Sequence, residues 1–121
     1  MVVVDDEDEV RTSTVALARS LGCRIDPASQ GAEAFRLVQR AVPDVLLMDL
    51  AMPIMDGWQA IRDIRALALP RRGPYIVAVS ALVDADHRRR AFEAGCNEYV
   101  VKPFDVRSLL RVYMARAGLR T

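Results

Sequence analysis

The segments Val2-Val3-Val4-Asp5-Asp6 and Val45-Leu46-Leu47-Met48-Asp49 decide the fold, because each is a short apolar run that ends in aspartate. A nearly continuous apolar run is typical of a strand that is buried on both faces, as in a parallel sheet. In open parallel sheets the ligand crevice lies outside the carboxyl ends of the strands. If these two strands are neighbours, the sequence predicts that Asp5, Asp6 and Asp49 converge at one edge of the sheet.

Such a cluster of carboxylates implies a bound proton or a bound cation. Two carboxylates about 4 Å apart repel each other by roughly 4 kcal/mol at an effective dielectric constant of about 20. Mg²⁺ suits the site, because it favours oxygen ligands and binds through one or two carboxylates plus phosphate. On the residues alone, a bound proton and a bound cation such as Mg²⁺ both remain open.

Composition limits the class of protein. The chain has 121 residues, 52% of them apolar, so we expect one domain over residues 1–121 with a real hydrophobic core. The net charge is +1, from 17 basic and 16 acidic residues, which argues against nucleic acid or an anionic membrane as the main partner. No apolar run approaches the roughly 20 residues of a transmembrane helix, and no signal peptide is recognisable. Cys23 and Cys96 lack metal-ligand spacing and are expected to be buried thiols in a cytoplasmic protein.

Apolar runs alternate with helical patterns along the whole chain, which indicates an α/β domain with a parallel sheet. The predicted strands are Val2–Val4, Cys23–Asp26, Asp44–Met48, Tyr75–Ser80 and Glu98–Val101. The predicted helices run from Glu7 to Leu21, from Gly31 to Arg40, after Gly57, from Asp84 to Gly95 and after Pro103. The first helix is expected to bury Val10, Thr14, Leu17, Ala18 and Leu21. The expected fold is a (βα)₅ doubly wound, five-stranded parallel sheet.

The order of the strands follows from their hydrophobicity. Strands two and five are less apolar than the other three, and the most apolar strands belong in the middle of a two-sided sheet. This favours the flavodoxin-like order 2-1-3-4-5, in which strands one and three are adjacent at the switch point. The order also places Ser80 and Lys102 on the same rim as the acids.

The residues at this rim fit phosphoryl transfer. A carboxylate such as Asp49 can accept a phosphoryl group and form an acyl phosphate, and the reaction depends on positioning and on neutralisation of charge. Lys102 supplies a positive charge, and the Ser80 hydroxyl can donate a hydrogen bond to a phosphoryl oxygen. Taken singly, each residue has an ordinary explanation; Asp5 and Asp6, for example, favour a helix N-terminus. It is their combination at the ends of four strands that is specific.

The chain resembles the receiver domain of bacterial two-component response regulators over its whole length. The matching segments are Val3–Glu7, Leu47–Pro53, Met55–Gly57, Val79–Ala81 and Val101–Phe104. The resemblance implies that Asp49 is phosphorylated and that Asp5, Asp6, Asp49 and the backbone carbonyl of Ala51 hold Mg²⁺. It also implies that Ser80 and Lys102 contact the phosphoryl group, with a Lys102–Pro103 bond that is commonly cis in the family.

The resemblance also implies a switch. Phosphorylation is expected to pull Ser80 inward, and Tyr99 is expected to turn into the space left behind. Helix four has few large apolar side chains, so we expect the surface of helix four, strand five and helix five to change. Ala51 and Leu82 occupy the positions that flank the attacking water in the family, and because neither can orient a water, slow self-dephosphorylation is expected.

Other functions remain open on the sequence alone. An aspartyl-phosphate phosphatase of the haloacid dehalogenase kind needs an aspartate at the position of Ala51. A flavodoxin-like cofactor carrier needs a phosphate loop, where this chain has acids. A non-phosphorylated docking module is disfavoured by the complete set of site residues. The leading hypothesis is a phosphorelay domain that is not a classical enzyme. Its expected phosphoryl donor is a histidine kinase or a phosphotransfer protein, and its expected oligomeric state is a monomer or weak dimer.

Three further predictions concern the helices. Trp58 is expected to face inward from the third helix, as a packing residue. His87 is expected to lie in solvent, and Arg88, Arg89 and Arg90 are expected to form a solvated helix face.

Overall fold

The computed structural model describes residues 1–50, 56–70, 73–81, 84–102 and 105–116. Within these residues the chain forms five strands and five helices that alternate. The strands are β1 (Val2–Val4), β2 (Asp26–Ala28), β3 (Val45–Asp49), β4 (Tyr75–Ser80) and β5 (Glu98–Val101). The helices are α1 (Asp8–Ser20), α2 (Gly31–Arg40), α3 (Asp56–Arg65), α4 (Ala85–Ala94) and α5 (Val106–Arg116). None of the described helices is long and apolar enough to cross a membrane.

The sheet confirms the predicted strand order. All pairs are parallel and the order is β2-β1-β3-β4-β5. The central strand β3 is buried at every residue, as a strand covered on both faces requires. In the β1–β3 pair, Val4 lies opposite Met48, so the aspartate that follows each of these residues lies at the same edge.

Helices cover both faces of the sheet and create two cores. Residues of α2, α3 and α4 pack with alternate strand residues such as Val4 and Met48. Residues of α1 and α5 pack with the intervening strand residues such as Val3 and Leu47. This two-sided arrangement explains why the strands are continuously apolar, because both sets of side chains are buried.

The second strand lies further along the chain than predicted. β2 begins at Asp26, whose amide donates to the Met1 carbonyl at 3.0 Å, and pairing with β1 extends to Ala28. The apolar residues Cys23 and Ile25, which suggested the earlier start, are instead buried in the α1/α5 core within the connection. Pro27 is compatible with β2 because this strand lies at the edge of the sheet.

The buried face of α1 differs from the prediction. Thr14, Val15 and Ala18 are buried, whereas Val10 is 40% exposed. The Thr14 hydroxyl donates to the Val10 carbonyl at 2.9 Å, so a polar side chain is accommodated where the helix meets the sheet. Asp84 caps the N-terminus of α4, because its carboxylate accepts from the His87 amide at 2.7 Å.

Candidate metal and phosphoryl site

Three carboxylates meet at the carboxyl edge of the sheet. Asp5 and Asp49 are buried, with 5% and 3% of their surfaces exposed, whereas Asp6 is exposed. One carboxylate oxygen from each lies within 4.8 Å of the others. The register of β1 and β3 explains this convergence, because each buried aspartate follows one member of the Val4–Met48 pair. The arrangement offers oxygen ligands on one side and access from solvent through Asp6.

A lysine faces this cluster from the neighbouring part of the sheet. The Lys102 ammonium lies 3.3 Å from Asp49 Oδ2. The Lys102 amide donates to the Ser80 carbonyl at 2.8 Å, so pairing between β4 and β5 continues past Val101 and fixes the start of the lysine side chain. The side chain is 28% exposed and the Asp49 side chain 4%, so the pair is partly shielded from water and interacts more strongly than a surface ion pair.

The negative charges of the carboxylates repel one another when no cation neutralises them. Burial raises the pKa of Asp5 from its ordinary 3.8 to about 6, helped by the negative charge of Asp49. Two contacts oppose this shift: the Glu7 amide donates to Asp5 Oδ1 at 2.9 Å, and Lys102 supplies positive charge. The excess of carboxylate over neutralising charge is what a site for a hard divalent cation requires.

Ser80 lies at this edge, whereas Tyr99 pairs with Ala78, two residues before the end of β4. Ser80 ends β4 and is 2% exposed, and it pairs in register with Val101 of β5. Tyr99 is 6% exposed and belongs to the core on the α2–α4 side of the sheet. Their expected roles in phosphoryl binding and switching stay predictions. Ala51, Leu82 and Pro103, which carry the carbonyl ligand, the water-path and the cis-bond predictions, lie outside the described residues.

Arg11 is a site-edge residue that the sequence analysis did not single out. Its guanidinium donates through Nη1 to the Asp5 carbonyl at 2.7 Å and through Nη2 to the Asp8 carboxylate. The contact with Asp5 is made to a backbone carbonyl, so the spacing of side chains in the sequence did not indicate it.

The α3–α4 contact corrects one prediction and confirms two. His87 is half-buried and packs edge-on against Trp58 with ring centroids 4.8 Å apart, so the prediction of solvent exposure is wrong. The reason is the size of Trp58, which is 2% exposed and needs cover from α4. Trp58 is therefore a helix-packing residue as predicted. Arg88, Arg89 and Arg90 are exposed, which confirms the solvated face.

One cavity lined by described residues lies beside Asp49. Among the described residues, the cavity that touches Asp5, Asp49 and Lys102 measures about 50 Å³ and is lined mainly by apolar side chains such as Val3 and Val79. Sites for organic cofactors usually measure about 300–1,000 Å³. The cavity beside Asp49 lies below that range.

Comparison with known proteins decides the family. A sequence model of the response regulator receiver domain matches residues 1–113. The chain belongs to this family. Receiver domains are signalling modules of two-component systems. Membership of this family therefore identifies the chain as a phosphorelay signalling domain, and this family is not a classical enzyme family.

Individual relatives of this receiver domain agree with that assignment. The receiver domain of sensor histidine kinase PA1611 from Pseudomonas aeruginosa PAO1, solved with a magnesium ion coordinated in its active-site cleft, is 34% identical with a TM-score of 0.78 and covers 97% of this chain and 96% of its own. The transcriptional regulatory protein PrrA of Mycobacterium leprae is 33% identical over 91% of this chain. A 14.6 kDa protein of the sodA1 3′ region of Leptolyngbya boryana is 33% identical over 93%.

The relatives differ in length from this receiver domain. The chain spans 46% of PrrA and 85% of the Leptolyngbya protein. The matches therefore assign the receiver domain itself, and the output of any longer relative belongs to that relative.

Proposed function

We propose that this receiver domain accepts a phosphoryl group on Asp49, in a Mg²⁺-dependent reaction, from the phosphohistidine of a histidine kinase or a phosphotransfer protein. One observation carries the proposal: the buried Asp49 carboxylate belongs to the acidic cluster and also lies 3.3 Å from the Lys102 ammonium. An anion that arrives at this carboxylate needs positive charge around it, and the residues present supply one charge and the ligands for another.

The three carboxylates are the residues that would hold the metal. Asp5, Asp6 and Asp49 each offer an oxygen within 4.8 Å of the others, and hard oxygen donors are the set that Mg²⁺ prefers. The family resemblance adds the backbone carbonyl of Ala51. When bound, the ion neutralises the acids and the incoming phosphoryl oxygens.

Asp49 is the nucleophile in this reaction. A carboxylate oxygen of Asp49 attacks phosphorus as the phosphorus–nitrogen bond of the donor histidine breaks, and the product is an acyl phosphate. Lys102 exchanges its contact with the carboxylate for one with a phosphoryl oxygen, and the hydroxyl of Ser80 donates a hydrogen bond to another. These contacts act by position and charge, which dominate catalysis of phosphoryl transfer.

The signal leaves the site through β4 and β5 in this proposal. Movement of Ser80 toward the phosphoryl group opens space for Tyr99, and the surface formed by α4, β5 and α5 changes. The helix most suited to move is α4, whose buried residues Ala91 and Ala94 are small and whose Phe92 is 39% exposed. A helix with few large buried side chains has low local stability.

Incubation with acetyl phosphate and Mg²⁺, followed by intact mass spectrometry, tests the proposal. The expected result is a gain of one phosphoryl group in the wild-type chain, and no gain in Asp49→Asn or in the presence of EDTA. Arg24→Gln is a matched control, because Arg24 is exposed and its side chain has no part in the site. Phosphorylation of Asp49→Asn to the wild-type extent would refute the proposal.

A further inference from the structure

We propose that Arg11 is a positioning residue for the metal site, which holds the Asp5 carbonyl and thereby determines where the Asp6 carboxylate lies. The inference rests on the proposed function, because it concerns the affinity of the same acidic cluster for Mg²⁺. It assigns a role to a residue of α1 whose side chain touches the loop that carries two of the three carboxylates.

Arg11 makes contacts that a solvated helix residue does not make. It lies in α1, yet its side chain is only 17% exposed. Nη1 donates to the Asp5 carbonyl at 2.7 Å and Nη2 donates to the carboxylate of Asp8. The two nitrogens of one planar guanidinium thus hold two acceptors at once, which fixes the direction of both.

The carbonyl that Arg11 holds belongs to the peptide between Asp5 and Asp6. On the other side of Asp5, its amide donates to the Ala28 carbonyl at 3.1 Å and its carboxylate accepts from the Glu7 amide. Asp5 is therefore fixed by the sheet and by the turn, whereas Asp6 is exposed. Because rotation of this peptide would rotate the backbone of Asp6, the Arg11 contact controls how closely the exposed carboxylate approaches the two buried ones.

The ion pair with Asp8 explains how the Arg11 guanidinium can lie beside a metal site without repelling the metal ion. An unpaired guanidinium near the acidic cluster would repel Mg²⁺, and the pair with Asp8 offsets that charge. Asp8 is itself highly exposed, with 87% of its side chain in solvent, so the offset places no additional acid in the buried cluster. Arg11 can then contribute a fixed hydrogen bond with little net charge.

Titration of the unphosphorylated chain with Mg²⁺, monitored by the amide resonances of residues 5–8, tests this role. Arg11→Met removes both donors and keeps a long side chain with good helix propensity. We expect it to weaken Mg²⁺ binding at least fivefold and to change the Asp6 amide resonance before metal is added. Arg11→Lys keeps the charge but cannot hold both acceptors in a fork, and we expect at least a twofold loss.

Arg19→Met is the matched control. Arg19 also lies in α1 and donates to a backbone carbonyl, that of Ile25 at 3.4 Å, but in the connection that follows α1 at the other end of the helix. We expect its Mg²⁺ affinity to equal that of the wild type. A loss as large as that of Arg11→Met would show a general effect on α1 and would overturn the inference.

The remaining outcomes separate this inference from the proposed function. Wild-type affinity in Arg11→Met, with a well-dispersed spectrum, overturns the inference alone. If Arg11→Met does not fold, wild-type affinity in Arg11→Lys overturns it instead. A wild-type chain with no saturable response to Mg²⁺ overturns the inference and the proposed function together.

Discussion

Asp5 and Asp49 lie side by side because the residues before them, Val4 and Met48, are opposite each other in the parallel pair of β1 and β3. Both carboxylates are buried, and Asp49 contributes to the raised pKa of Asp5. The sheet register therefore places two like charges together in a poorly solvated position. Such an arrangement costs free energy in the folded chain unless a proton or a cation neutralises part of the charge.

The stability of the metal-free chain should depend on pH through Asp5. Its pKa is raised to about 6 in the folded state, so its favourable contribution is complete below the ordinary value of 3.8 and is lost as the pH rises through 6. In EDTA, the free energy of unfolding of the wild type minus that of Asp5→Asn should increase as the pH falls from 8 to 5, by on the order of 1 kcal/mol.

Chemical denaturation of both proteins at several pH values checks this expectation. Addition of Mg²⁺ at pH 8 should stabilise the wild type more than Asp5→Asn, because the ion then provides the neutralisation that the proton provides at lower pH. Parallel stability curves for the two proteins between pH 8 and 5 would contradict the raised pKa.

Lys102 should stabilise the metal-free site. Its ammonium lies 3.3 Å from the Asp49 carboxylate, and loss of a hydrogen bond to a buried charged group costs about 1–3 kcal/mol. Lys102→Met is therefore expected to destabilise the chain by that amount in EDTA. In the Asp49→Asn background the same substitution should cost less, because the buried charge has been removed. A double-mutant cycle by urea denaturation measures this coupling, and a coupling of zero would show that the pair contributes nothing.

A side chain at position 95 should destabilise the fold, because the Arg65 side chain occupies the space beside Gly95. Gly95 has a φ of +121°, and a Cβ built there would lie 2.5 Å from Arg65 Cγ. Arg65 is held in place by donating to the Gly95 carbonyl at 2.8 Å and to Asn97 at 2.6 Å. Gly95→Ala is expected to cost about 2–4 kcal/mol from the sum of backbone strain and overpacking.

Gly22→Ala is the matched control for that substitution. Gly22 also has a positive φ, +84°, but a Cβ there would have nothing within 4 Å. Gly22→Ala should therefore lower the free energy of unfolding through backbone strain alone, by about 1–2 kcal/mol. Thermal unfolding measures both, and equal losses would show that the contact with Arg65 adds no cost.

Phosphorylation should change hydrogen exchange in α4 and β5. Beryllofluoride, as a mimic of the phosphoryl group, is expected to alter the protection of amides in Ala85–Ala94 and around Tyr99 in the wild type. The reason is that the buried residues of α4, Ala91 and Ala94, are both small. Asp49→Asn treated in the same way is the control. Unchanged protection in the wild type would remove the predicted switch surface.

Much of the fold could be predicted because it depends on strong, repeated signals. The apolar runs at β1, β3 and β4 place these strands in the centre of the sheet, and the aspartates after β1 and β3 then have to meet. The errors occurred where local pattern and tertiary packing disagree. Cys23 and Ile25 are apolar, but they lie in the connection between α1 and β2, where their side chains pack in the core. The residues that pair with β1 are Asp26–Ala28.

The site was less completely predictable. Its acids, hydroxyl and lysine end strands, so the sequence pattern finds them. Arg11 was missed because its function depends on a contact with a backbone carbonyl, which leaves no pattern in side-chain spacing. His87 was placed in solvent because its own helix is polar, but the bulk of Trp58 on α3 draws it into contact. Such errors arise wherever a neighbouring element decides the environment.

Localisation of the phosphoryl group shows whether Asp49 is the residue that accepts it. After reaction with acetyl phosphate and Mg²⁺, reduction with borohydride converts an aspartyl phosphate to homoserine, and peptide mass spectrometry then identifies the residue. We expect homoserine at position 49, and none when EDTA is present during phosphorylation. Homoserine at Asp5 or Asp6, or a phosphoryl group on a side chain other than aspartate, would show that Asp49 is not the acceptor.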